Sequence, residues 1–507
     1  MSDSKKNKYA HENALLVAPF LLLLATNVWF HAPWGDELHA WGLILASSDI
    51  GDLFRRLHYE GHPGLWHLLL WWAAAVSMDP ATLAAVHLAV ASGILLLVAF
   101  HSYFSRAEKI LLLSNYFLVF EYTVVARNYG VAMLLALVYG RIRAATTERP
   151  LLAFTLLGAI ANTNIHALLL AGFLGVEYGW SSVITAQRWS GFGLWRKLSG
   201  PVVFCALIAL AMATVWPAAD IAQHAQQPML GGVGDFRRLS LQLLQTATTP
   251  YFPIDFSFPA SFAFPGRLYE NGLRVWTSIL LLPFIGGALW VAFRDRVRFL
   301  IVLVGLELAS AAFAFLIYPV AVRHLGAIFV GFLVLLSIHR SMPSDPGSTA
   351  RPTASIAVLC LLALGSLGGV LAIAGQWMRP FSNDVAAARW LTNHASADAV
   401  LIASDDIRAE PIAILLGRRF YALDCRCEDS YVQFRNRRDG FTENMIPERL
   451  EEAVRLYRPR PIMLLAGTNL SVPIRTEIRA RGMTLTEEIH LTGAERDSEM
   501  TIFKIMP

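Results

Sequence analysis

A chain of 507 residues has room for about three soluble domains of ~150 residues, but its composition excludes that reading. It is 55% hydrophobic and 16% charged, with a mean hydropathy of +0.47, where soluble domains carry about 25% charged residues. Of the 80 Asp, Glu, Lys and Arg residues, 36 fall in the last 127 positions, and of the net charge of +4 the tail carries 17 basic against 19 acidic residues, leaving +6 on the rest.

The chain therefore reads as a polytopic α-helical membrane body, residues 1–379, followed by a soluble tail, 380–507. The basic surplus of the body fits loops at a cytoplasmic leaflet. Basic residues of the tail are not interleaved with aromatics along one face, so nucleic acid is not an expected partner.

Residues 1–13 are polar and hold Lys5, Lys6 and Lys8; residues 14–30 are apolar. No small-residue cleavage site follows, so this is a retained first span with the N-terminus cytoplasmic. Further apolar segments lie near 80–100, 110–126, 127–141, 150–162, 165–181, 200–216, 273–292, 299–317, 324–338 and 354–376. Each approaches the ~20 residues that a span needs, which predicts about eleven spans. Five basic loops, at 106–109, 141–149, 188–197, 294–298 and 340–351, then share the side of Lys5 and Lys8, and the tail lies outside. Segment 63–78 carries Trp66, Trp71 and Trp72. A span there would flip every later loop, so it is placed in the outer interface, where Trp is favoured.

The outer side gathers loop 31–79, the turn 162–166, loop 217–272 and the tail. Loop 217–272 is rich in Pro and aromatics and reads as a lid or acceptor-site loop. The tail alternates helical runs (384–394, 447–457) with extended ones (399–404, 461–466, 500–506), a small α/β domain. It lacks a glycine-rich phosphate loop after a strand, so no nucleotide site is expected. Cys205 and Cys360 sit in apolar runs and read as inert packing. Cys425 and Cys427 are too close in sequence for an unstrained disulfide, and metal binding would want more ligands nearby.

Candidate chemistry begins directly after the first span, in Trp34-Gly-Asp36-Glu37-Leu-His39. Carboxylates at the mouth of a bundle are costly to desolvate unless used. They suit a general base or a divalent cation; the alternative for Asp36 is a helix N-cap. Next comes Tyr59-Glu60-Gly61-His62-Pro63, a turn projecting Glu60 and His62. Glu121, Arg127 and Asn128 lie at facing helix ends, and Arg323 and His324 follow Tyr318-Pro319. A guanidinium suits a phosphate through its planar fork; the alternative is a Glu121–Arg127 ion pair. His166, in the turn after Asn162, and Arg267, in loop 217–272, are candidate acceptor-side groups.

In this order, D-E after one helix, Y-E-G-H-P before a Trp-rich segment, a helix-end E…R-N-Y and a late Y-P…R-H, the chain resembles the GT-C glycosyltransferases, in the protein O-mannosyltransferase and lipid A aminoarabinose transferase group. The resemblance covers roughly residues 14–340. It implies an integral protein of a bacterial inner membrane that takes a sugar from a polyprenyl-phosphate donor. The sugar passes, with inversion, to a glycan, lipid or protein hydroxyl on the extracytoplasmic side. By resemblance Asp36, with Glu37 beside it, is the catalytic base; Glu60, His62, Arg127, Asn128, Arg323 and His324 are the candidates to meet the donor's sugar and phosphate, with Arg127 or Arg323 suited to neutralise the leaving phosphate. No cofactor is implied, and a divalent metal at the carboxylates stays open. The family turn often carries Lys before Pro, where this chain has His62. Competing readings are an O-antigen polymerase or ligase, which would not need Asp36, a non-catalytic scaffold, and a transporter, which would call for paired inverted repeats.

Overall fold

The computed structural model describes residues 3–145, 149–184, 194–221, 236–254, 272–318, 320–342, 350–436, 440–494 and 499–506. The body is helical: α1 (Asp3–Phe30), α2 (Gly35–Ala46), α3 (Ile50–Leu57), α4 (Leu65–Ala74), α5 (Ala81–Ala99), α6 (Arg106–Leu113), α7 (Asn128–Arg143), α8 (Pro150–Ala161), α9 (Ile165–Ile184), α10 (Leu194–Val215), α11 (Phe236–Thr248), α12 (Gly272–Phe293), α13 (Val297–Leu316), α14 (Val322–Ser341) and α15 (Ala350–Met378). Among the described residues six stretches are long and apolar enough to cross a bilayer: Asn7–Phe30, Ala81–Ala99, Leu198–Val215, Gly272–Leu316, Val322–Ser341 and Ser355–Met378. The fourth is the helix pair α12 and α13, joined through the 3-10 turn Arg294–Arg296. Most helices turn apolar surface outward and bury one stripe, as lipid-facing helices do, but α14 is buried nearly all round and forms the axis of the bundle.

One expected span is not a continuous helix. Segment 110–126 breaks into the end of α6, a π-helical turn Phe117–Glu121 and a non-helical stretch up to Arg127. Asn115 makes the break: its backbone carbonyl accepts from Val119 N at 2.8 Å and its side chain from Phe117 N at 3.1 Å. Two glycines on α15 let the broken segment lie flush against that helix. A Cβ on Gly369 would sit 2.0 Å from Ser114 O, and one on Gly365 2.0 Å from Asn115 Nδ2. Part of the region read as loop 217–272 is likewise helical, as α11.

Most of loop 188–197 lies outside the described residues, and described residues of the other four basic loops gather at one end of the bundle. There Arg340 pairs with Glu108 (2.6 Å), Arg296 donates to His339 O (3.0 Å) and Arg141 to Phe100 O (3.3 Å). Short helices α2, α3 and α4 occupy the other end. The ten residues of α4 span about 15 Å, half the ~30 Å of a bilayer core. The helix buries Trp66 and exposes Trp72.

The tail carries α16 (Asp384–His394), β1 (Val400–Ala403), α17 (Asp406–Leu416), β2 (Phe420–Ala422), β3 (Cys427–Asp429), α18 (Ile446–Tyr457), β4 (Ile462–Ala466), α19 (Val472–Ala480), β5 (Thr484–Leu491) and β6 (Met500–Met506). They form one mixed sheet in the order β3-β2-β1-β4-β6-β5, with β1 parallel to β2 and β4. The central strands are buried throughout because helices cover both faces: α16 and α17 over Leu401 and Leu465, α18 and α19 over Ile402 and Leu464. This is the layering that parallel strands require. Cys425 and Cys427 form a disulfide, against the sequence expectation; the chain reverses between β2 and β3, with Arg426 at φ 54°, and turns both side chains to one side. Cys205 and Cys360, expected to pack inside, are exposed on the apolar flanks of their helices.

Candidate active site

The site is built where α2 begins. The chain leaves α1, passes an extended Trp34 and enters α2, which puts Asp36 and Glu37 in the first turn, where a carboxylate is favoured by the helix dipole. Side by side in sequence, the two point in different directions. Glu37 is buried and consumed by structure: Oε1 accepts from Ala126 N at 2.6 Å, and Oε2 from Trp34 N at 3.2 Å and from His31 Nε2 at 2.9 Å. His31 in turn meets Gln376 Oε1 of α15 at 3.3 Å. Glu37 therefore staples α2 to the irregular stretch that ends at Arg127.

Asp36 faces the opposite way, into a basic cluster. Its Oδ2 accepts from Arg127 Nη1 and lies 3.3 Å from Arg323 Nη2. Arg127 precedes α7 and Arg323 opens α14, so three separate helix starts converge on one carboxylate. The two arginine side chains are only 11% and 15% exposed, whereas the Asp36 side chain keeps 35% of its surface open. Aromatic faces hold both cations: the Arg127 guanidinium lies 5.4 Å from the Tyr129 ring centre and that of Arg323 5.6 Å from Trp34. Tyr122 stacks on Tyr129 and donates to Arg323 O at 2.5 Å.

His62 joins the cluster from the 58–63 turn. Burial, and then the positive charge of Arg127, push its imidazole down to about 3, so it is neutral; its Nδ1 is buried with no hydrogen-bond partner among the described residues. His166 and His324 stack with ring centres 4.4 Å apart, and His324 Nδ1 accepts from Ala321 N at 2.9 Å, which ties that ring to the start of α14. Asn128 is buried beside Arg127 with Oδ1 unpartnered among the described residues. Glu121 accepts from Tyr116 Oη at 2.6 Å, while Arg127 turns to Asp36.

Glu60 is not turned toward the cluster. It meets His39 Nε2 at 2.7 Å, and His39 Nδ1 meets both oxygens of Glu410 on α17 at 2.9 and 3.0 Å. Arg267 and Pro319 lie outside the described residues. Thus Asp36, His62, Arg127, Asn128, His166, Arg323 and His324 come together, and Glu37 and Glu60 serve neighbouring contacts. Sequence reasoning gave no role to Trp34, His39, Tyr122, Tyr129 or Glu410. His39 had a local signal, one helical turn after Asp36; Glu410, 371 residues away, had none. Among the described residues the cluster with metal-ligand spacing is Cys425, Cys427 and Asp429, and its two sulfurs are bonded to each other.

No protein-family model matches the chain, and no curated protein matches it by sequence. Among solved structures it is similar to ArnT from Cupriavidus metallidurans in the apo state, with a TM-score of 0.52 and 13% identity, over 97% of each chain. The same protein bound to undecaprenyl phosphate aligns with a TM-score of 0.49 at 13% identity, over 97% of each chain. From α1 to β6, helical body and sheet-bearing tail together, the chain has the fold of ArnT, the one that the resemblance to lipid A aminoarabinose transferases implied.

Proposed function

We propose that the chain is a membrane glycosyltransferase of GT-C type that transfers a sugar from a polyprenyl-phosphate-linked donor to an acceptor hydroxyl. The observation that carries this reading is the partly open Asp36 held between two nearly buried arginines, on the fold of a protein that has been solved bound to undecaprenyl phosphate. Among the described residues Asp36 is the carboxylate that pairs with both guanidiniums, and two planar cations so placed suit a phosphodiester.

The chemistry follows from that placement. The donor phosphate competes with Asp36 for Arg127 and Arg323 and frees the carboxylate. Asp36 then takes the proton of the acceptor hydroxyl as its oxygen attacks C1 of the sugar from the face opposite the phosphate. The C1–O bond breaks, its electron pair leaves on polyprenyl phosphate, and the guanidiniums hold the charge that develops there. The configuration at C1 inverts. Two guanidiniums against Asp36 disfavour a divalent cation at the same carboxylate, and the steps above use none.

The same reading puts the site and tail on the extracytoplasmic side of the membrane. The gathering of basic loops at the other end supports this, as does the Cys425–Cys427 disulfide, a bond that persists in oxidising compartments. The test is Asp36→Asn in the purified full chain, assayed with polyprenyl-phosphate sugars. Turnover should fall by about 100- to 10,000-fold, the usual worth of a general base, with undecaprenyl phosphate still bound. Full turnover in Asp36→Asn would remove the base and favour a polymerase-like or ligase-like enzyme instead.

A further inference from the structure

The tail is joined to the site through one side chain. His39 lies on α2, one turn beyond Asp36, and its two ring nitrogens are divided between Glu60 of the 58–63 turn (2.7 Å) and Glu410 of α17 (2.9 Å). Both carboxylates are almost wholly enclosed, 6% and 3% exposed, and Oε1 of Glu60 has no hydrogen-bond partner among the described residues. Two enclosed carboxylates without a cation between them would repel, and the unpaired burial of even one is costly. We propose that His39 is a positioning residue. As an imidazolium it bridges Glu60 and Glu410, and so it clamps the α/β tail onto α2 and sets the turn bearing His62 against the Asp36 cluster.

Packing around the bridge agrees with a clamp. Gly42, on the same face of α2, lies so close to the tail that a Cβ there would meet Ile414 Cδ1 at 2.5 Å and Tyr431 Cβ at 3.1 Å. Ile414 and Tyr431 belong to the tail yet are buried in the apolar core of the body. Around His39 the remaining groups from neighbouring elements are Tyr431 and Phe434 of the tail (ring centres 6.0 and 5.6 Å away), Arg56 of α3, which donates to Tyr431 Oη at 2.8 Å, and His67 of α4. Arg56 is spent on Asp52 and Tyr431, and His67 is held neutral, pushed down to about 4 by burial. The bridging cation is therefore His39 itself. Burial pulls its imidazole down, but the charges of Glu410 and Glu60 overcome this and hold it well above the ordinary histidine range. The sign follows: His39's contribution is complete below the ordinary histidine pKa of about 6.5 and is lost as pH rises through the elevated folded value, while burial also raises the Glu410 carboxyl, whose protonation bounds the clamp on the acid side.

The consequence for turnover rests on the transferase reading; the clamp itself does not. Hydrogen–deuterium exchange of the detergent-solubilised full chain, corrected for the intrinsic pH dependence of exchange, reads the clamp directly. Wild type should protect α2, the 58–63 turn and α17 at pH 6 and lose that protection together as pH rises. His39→Gln should lack the protection at every pH. Glu410→Gln, which removes one charge and keeps an oxygen facing His39, should fold and shift the transition to lower pH. Where transfer is measured, kcat/KM should carry an alkaline limb that follows the exchange transition, and His39→Gln should lose about 100-fold, the cost of misplacing a site by an ångström. Equal protection of wild type, His39→Gln and Glu410→Gln from pH 6 to pH 10 would overturn the clamp. Intact clamp behaviour in a wild type that transfers nothing from polyprenyl donors would overturn the transferase reading and leave the clamp standing.

Discussion

Asp36 and Glu37 are adjacent and chemically alike, and the backbone alone separates their duties. Glu37 spends both oxygens on Ala126 N, Trp34 N and His31, whereas Asp36 meets side-chain ends, the guanidiniums of Arg127 and Arg323. A ligand can displace the second set and not the first. Arg127→Ala and Arg323→Ala should each raise the KM for a polyprenyl-phosphate sugar by about 10- to 100-fold, the worth of a hydrogen bond to a charged group. Binding isotherms with undecaprenyl phosphate check this, and unchanged affinity in both variants would end the phosphate role. Asp384 offers a residue-scale test outside the site. Burial pushes its carboxyl up to about 7, so its ionisation opposes folding: the stability it allows is present below its ordinary value and fades as pH rises through 7. Asp384→Asn should therefore melt higher than wild type at pH 8 and no higher at pH 4; an equal gain at both would refute the assignment.

At the scale of elements, the break between α6 and α7 matters more than any regular helix. An unbroken helix over 110–126 would carry Arg127 on a regular helical face; the π turn and the irregular stretch after it instead deliver Ala126 N to Glu37 and Arg127 to Asp36. Hydropathy alone reports an apolar run and is silent about its continuity, which is why this segment read as a span. The broken backbone is tolerated because it is buried in protein, against α15 and α14, where its polar groups find partners. Gly369→Leu should disturb it: with Ser114 O 2.0 Å from the new Cβ, the two segments must part, at a cost of about 1–3 kcal/mol or more for overpacking. Thermal unfolding in detergent should show the loss, and donor affinity should fall with it because Arg127 moves. A variant as stable as wild type with full donor affinity would mean that the contact is slack.

At the scale of the whole molecule, the charge arithmetic becomes a geometry. The proposed orientation predicts which ends a membrane-impermeant thiol reagent reaches in a chain whose free cysteines, Cys205 and Cys360, are replaced by Ala. Val472→Cys, on an exposed tail position, should label in intact cells, and Ser341→Cys, at the basic end of α14, only after permeabilisation. The reverse pattern would invert the molecule and place the site in the cytoplasm. His39 with Glu410, Arg56 with Tyr431 Oη (2.8 Å) and Asn436 N on Asp220 O (2.9 Å) join tail and body over several separate segments. A tail held so is part of the site's frame.

Composition and pattern in this chain determine what is local: an apolar body, a charged tail, the first-turn carboxylates after α1, and helix starts at Asn128 and Val322 that carry Arg127 and Arg323. These follow from nearest-neighbour chemistry, since hydropathy, turn residues and helix-start preferences act over a few residues. Which charges meet is a different matter. Asp36 and Arg127 are 91 residues apart, and His39 and Glu410 371 apart, and no short pattern distinguishes the Glu121–Arg127 pair that does not form from the Asp36–Arg127 pair that does. The same holds for Cys425 and Cys427, whose spacing argued against a bond that the turn between β2 and β3 permits. Only the packing of α2, α7 and α14 decides that one carboxylate faces two cations. In a low-dielectric body each buried charge must find a partner, and the fold determines which partners are within reach.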